Sequence, residues 1–145
     1  MKFKTSFAAI VVAILLAACG GSDNAGKVSG SYKGDMEVFV NGEHQLTFED
    51  KTVTLEKVTN DSVKVVVEAM QMSGHSAVPT MEIMSKIDAK GAIAGNIDID
   101  AHAFKITGRY EGEADGESLN LKMSVNFGAM PMPVDITFNG KNNIN

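Results

Sequence analysis

The sequence predicts an all-β fold, a single up-and-down antiparallel β-barrel of about 8–9 strands arranged as a meander. Three features carry that expectation. Apolar and polar residues alternate with period two through most of residues 32–138, turn residues interrupt the alternation at short intervals, and no segment shows convincing helical periodicity. Strict alternation marks strands with one face on a core and the other in water. Short connections favour pairing of each strand with the next.

The first run places Tyr32, Met36, Val38 and Val40 on one face, and the next two carry Leu46 with Phe48 and Val53 with Leu55. Val63, Val65 and Val67 follow, then Met81, Ile83 and Ile87, then Ile93, Ile97 and Ile99. Phe104, Ile106 and Tyr110 make another strand, Leu119 to Phe127 the longest, and Val134, Ile136 and Phe138 the last. Turns are expected at Asn41-Gly42, Asp50-Lys51, Thr59 to Ser62, Asp88 to Gly91, Asp115-Gly116 and Gly128 to Pro133. A two-residue Asn41-Gly42 loop would set Leu46 and Phe48 on the wrong face, so a three-residue loop through Glu43 with a bulge is expected. Closure into a barrel removes exposed strand edges, and Gly34, Gly95 and Gly108 on the apolar parity permit the coiling it requires. The inward-parity residues include no charge. Most are mid-sized or large, so a filled interior is expected, with function on the loops and outer faces.

The chain begins with Lys2 and Lys4, then an uncharged apolar block from Phe7 to Ala18, and breaks at its single cysteine into small polar residues, "LLAACGGSDN". A block this short is a secretory signal and not a membrane span. Leu16-Ala17-Ala18-Cys19 resembles the signature of bacterial lipoproteins. That resemblance implies cleavage before Cys19 and acylation of it, and multiple acyl chains hold a protein stably on a membrane. Gly20 follows the cysteine where an inner-membrane retention signal has Asp, so a lipid-anchored position at the outer membrane of the cell envelope is expected. The resulting division is signal peptide 1–18, lipidated Cys19 and flexible tether 19–27, barrel 28–141 and C-terminal tail 142–145.

Removing the signal leaves 127 of the 145 residues and takes two of the 13 basic side chains, so the net charge of −5 becomes −7. Such an acidic domain, with no basic stripe, excludes nucleic acid as a partner. With Cys19 acylated no thiol remains for a disulfide, and the fold must rest on its core.

Gly30-Ser31-Tyr32-Lys33-Gly34 at the start of the first strand and Ile136 to Lys141 at the end of the last, together with the lipoprotein signal, resemble the calycin-like β-barrel lipoproteins of Bacteroidetes, relatives in shape of lipocalins. The likeness covers residues 28–141. It implies a non-catalytic binding barrel. In lipocalins an aromatic ring on the first strand packs at the closed end under a basic side chain near the chain's end; by position Tyr32 corresponds to the ring and Lys141 to the base.

No enzyme is indicated. His44, His75 and His102 sit in or beside turns, and a nucleophile, a base and an orienting group are not found together. Glu111-Gly112-Glu113-Ala114-Asp115-Gly116-Glu117 echoes half of a calcium loop, but the twelfth position is Lys122 and not Glu, which favours a solvated acidic turn. Met70, Met72, His75, Met81, Met84, Met130 and Met132 are ligand types that suit Cu(I), yet they also suit adaptable packing. No metal or cofactor is assigned, and an envelope Cu(I) carrier is kept as a second alternative. Asp61-Ser62-Val63 resembles an O-glycosylation acceptor. The uncharged loop from Gln71 to Thr80 and the loop Gly128 to Pro133 offer Met72, His75, Val78, Met130 and Met132 as contacts for a protein partner. The alternative is a carrier or sensor of a small lipid-like molecule inside the barrel.

Overall fold

The computed structural model describes residues 23–73, 76–101, 104–129 and 132–142. A short helix α1 (Asn24–Val28) leads into ten strands: β1 (Gly30–Val40), β2 (Glu43–Thr59), β3 (Ser62–Val67), β4 (Met70–Ser73), β5 (Ser76–Val78), β6 (Met81–Lys86), β7 (Ala92–Ala101), β8 (Phe104–Ala114), β9 (Ser118–Phe127) and β10 (Val134–Asn142). Eight of them form one antiparallel sheet in the order β6-β3-β2-β1-β10-β9-β8-β7, while β4 and β5 pair as a separate hairpin. First and last strands are hydrogen-bonded neighbours, with Met36 opposite Phe138. The sheet curls into a nearly closed barrel. Its seam falls between β6 and β7, consecutive in sequence but not laddered. The connection across it is a compact turn. Asp88 Oδ1 accepts from the amides of Lys90 and Ala92 at 2.8 and 2.9 Å, the Asp88 amide bonds Ala92 O at 3.2 Å, and the Ile87 amide bonds back to Asp61 O at 2.9 Å.

Two expectations about β2 are corrected. Asp50-Lys51 is not a turn: β2 runs unbroken through it, with Asp50 in the left-handed region at φ 56°. Asp tolerates that conformation, and here it makes a bulge that shifts the register between Gly34–Lys51 and Met36–Phe48. The Asn41-Gly42 loop has two residues, not three, with φ of 54° and 81°, and Val40 faces Glu43. The expected bulge does occur, one step inside β2: His44 faces Phe39 and Leu46 faces Val38, so Gln45 is the extra residue that restores the apolar face.

The alternating face is the core. Tyr32, Phe138, Met36, Leu55, Ile106, Leu119, Leu121 and Ile136 are among the largest fully buried side chains. Close backbone approach explains Gly34, where a Cβ would meet Asn139 O and the Gly140 Cα of β10. At Gly95 the Tyr110 ring lies where a side chain would be, which lets β7 coil against β8.

Candidate functional site

Strand direction sorts the connections into two ends. The β2–β3, β6–β7 and β8–β9 turns share one end with the chain entry, and hydrogen bonds tie this end together: Ala25 N to Asn60 O at 2.8 Å, Ala114 N to Gly91 O at 2.9 Å and Asn142 N to Glu117 O at 2.7 Å. The stretch expected to be flexible tether is structured from Asn24 onward. Asp23 caps α1 through the Gly26 amide at 2.9 Å and pairs with Lys57 at 2.8 Å, which hold its carboxyl below the usual range. Ala25 and Val28 are buried, so α1 stoppers the barrel. The Tyr32 hydroxyl donates to Val28 O at 2.5 Å and fixes the stopper to β1. Burial pushes the Tyr32 phenol pKa up, and the Asp115 charge acts in the same direction. Lys141 does not cover that ring. It lies opposite Lys33 on the outer face, because the inward parity of β10 runs through Phe138 and Gly140.

The opposite end collects the β1–β2 turn, the β4–β5 hairpin, and the β7–β8 and β9–β10 connections. Asn41 Nδ2 reaches Met132 Sδ at 3.1 Å, and Gly128 N bonds Lys105 O at 2.7 Å. The inward face changes character here. Val40, Leu46, Phe48, Ile99, Phe104 and Phe127 pack on the core but are only partly buried, with Phe104 and Phe127 edge to face at 6.1 Å. β3 and β6 are six residues each against seventeen in β2, so they leave this part of the inner face short of cover.

The loop contacts expected from sequence divide. Met132 is 39% exposed and stands at this end. Val78 does not present to a partner: it is 3% exposed, and with Met70 it anchors the hairpin in the core. The segment expected as an open loop is therefore partly a packed flap. Met72 lies on β4, but its side chain lies outside the described residues, as do Cys19, His75, His102 and Met130. For copper the geometry is unfavourable, since Met70 and Met81 are buried while Met84, on the outer face of β6, is 58% exposed. Among the described residues no group of three His, Cys, Asp or Glu is placed to hold a metal ion. Asp115, in the acidic turn, spends its Oδ1 on the amides of Glu117 and Ser118 at 2.9 and 2.8 Å. Ser62 sits in the β2–β3 turn with its hydroxyl 2.9 Å from Thr59 Oγ1.

A family model, the calycin-like beta-barrel domain, matches residues 28–141. The chain belongs to this family. The calycin-like barrel also superposes on the crystal structure of a "putative outer membrane protein" from Bacteroides fragilis NCTC 9343, with a TM-score of 0.71 and 20% sequence identity over 85% of this chain. The match covers 54% of that protein, so the chain spans about half its length. No curated protein matches the chain. Within the calycin-like frame, the partly buried inner face at the loop end is what sequence reasoning missed. Alternation alone marks Phe48 and Phe104 as core, and the short lengths of β3 and β6 were the signal that their cover runs out.

Proposed function

We propose that this calycin-like protein is a lipid-anchored, non-catalytic binding module of the cell envelope that holds a protein partner at the loop end of its barrel, away from the anchor. One observation carries the proposal: the two ends differ. The chain enters through α1 at an end that is stoppered and hydrogen-bonded shut, while the partly exposed apolar residues and Met132 gather at the other. A tether leading from Cys19 to the stoppered end presents the loop end to partners. Envelope placement is supported by the Leu16 to Cys19 signature and by the outer-membrane description of the structural neighbour. The absence of catalysis is supported by the family, whose fold is generally a binding one.

An internal lipid carrier is the second reading, favoured by the same apolar face. Against it stands the barrel interior, where Tyr32, Met36, Leu55, Leu119 and Phe138 are fully buried side chains that fill space a ligand tail would need. Titration of the chain lacking residues 1–19, which keeps α1 and its Asp23 cap, with the fluorescent fatty acid cis-parinarate tests this. The expected result is no saturable binding. Stoichiometric submicromolar binding, competed by oleate, would establish the carrier reading instead.

A further inference from the structure

The outer face of the barrel carries a second candidate site, which begins at Gly42 in the β1–β2 turn of the loop end and runs over the strands. A groove of about 460 Å³ crosses strands β1, β10, β9 and β8, within the range of small-ligand sites. Register sets its polar residues in two rows. Phe39 faces Asp135, Asp135 faces Ser124, and Ser124 faces Arg109. Beside them Thr137 faces Lys122, and Lys122 faces Glu111. Strands ~4.8 Å apart place Phe39 and Arg109 at the two ends of a span of ~14 Å. Phe39, Ser124, Asp135 and Thr137 are half-buried, although their parity points them away from the core. The Phe39 ring is steadied by an edge-on contact with His44 at 5.5 Å.

Lys51, Lys57, Lys64, Lys86 and Lys105 have acidic partners within 4.0 Å. Lys27, Lys33, Lys90 and Lys141, spread over other parts of the surface, form no ion pair among the described residues. The groove differs in gathering unpaired charges of both signs within one cavity. Arg109 is the chain's single arginine. Among the described residues, Arg109, Lys122, Glu111 and Asp135 form no ion pair and the hydroxyls of Ser124 and Thr137 form no hydrogen bond, so donors and acceptors stand interleaved and unengaged.

We propose that this groove binds a carboxylated sugar of one or two rings, its carboxylate on Arg109 and Lys122, its hydroxyls on Ser124, Asp135 and Thr137, and a ring face on Phe39. Each part of the ligand answers a feature of the groove. A guanidinium holds a carboxylate through two parallel hydrogen bonds. Hydroxyl groups, being both donors and acceptors, can satisfy acids and hydroxyls side by side. A flat half-buried aromatic suits the apolar face of a sugar ring. An extended peptide is poorly served, because β10, β9 and β8 are interior strands whose ladders are filled on both sides. A fatty acid would leave the middle of the groove unsatisfied.

Titration of the full chain with methyl β-glucuronide, followed by calorimetry or by amide shifts, tests the site. Methyl β-glucoside supplies the ring without the carboxylate, and acetate the carboxylate without the ring. The glucuronide is expected to bind saturably and about tenfold or more tighter than either, a difference of ~1.4 kcal/mol. Arg109→Gln and Phe39→Ala should each weaken it by a similar factor while the circular-dichroism spectrum stays unchanged, and Lys33→Gln, outside the groove, should leave it intact. Equal binding of glucuronide and glucoside, unaltered binding in Arg109→Gln, or no saturation into the tens of millimolar would each overturn the proposal.

Discussion

Replacing Phe138 by Ala is expected to cost about 3–5 kcal/mol of folding stability, among the largest losses from a single side chain in this barrel. Phe138 is 1% exposed on β10, the strand between the first and the penultimate ones, and it faces Met36 on one side and Leu121 on the other. These neighbours belong to a laddered sheet and cannot collapse into the space left. A domain of this size has only about 5–15 kcal/mol to lose. The thermal midpoint should therefore fall by roughly 10–30 °C. Urea or thermal denaturation followed by circular dichroism measures it, and a loss under about 1 kcal/mol would show that the interior is not packed as described.

Tyr32 is expected to give the second large effect, and to give it in separable parts. Tyr32→Ala removes a fully buried ring at the stoppered end and should cost about 3–5 kcal/mol. Tyr32→Phe keeps the ring but leaves Val28 O without its partner, which should cost about 1–3 kcal/mol and loosen α1. The two substitutions also differ from wild type in alkali. The folded phenol pKa is raised by burial above its ordinary value of 10.0. The folded state therefore keeps its proton where the unfolded chain has lost it. Stability from this group is complete below that value and falls as pH rises past it. Tyr32→Phe should lack this component of the alkaline decline. An identical alkaline slope in both proteins would contradict the buried, stopper-bound phenol.

Much of the barrel was legible because its strands obey one rule. Residues at inward parity, from Met36 to Phe138, fill the core with few departures. The departures have physical causes. Asp50-Lys51 has turn chemistry, but a bulge uses the same left-handed conformation, and only pairing with β1 distinguishes them. The β4–β5 hairpin is too short, at four and three residues per strand, for alternation to betray it, although it buries Met70 and Val78. Helix α1 spans five residues, too few for periodicity, and its one sequence signal was the capping Asp23. Lys141 could have been placed outward from the parity of Ile136 and Phe138. The groove was hidden for a different reason. Phe39, Asp135, Ser124 and Arg109 come from four strands and meet only once register is fixed.

The proposed polarity of the barrel, stoppered where the chain enters and receptive at the loops, is tested most directly by position-specific crosslinking in native cells. A photoreactive amino acid replaces Met132 at the loop end or Lys90 in the β6–β7 turn at the stoppered end, both exposed positions. A discrete protein adduct from position 132 and none from position 90 is the expected result. An adduct from position 90 alone, or none from position 132, would contradict a binding face at the loop end.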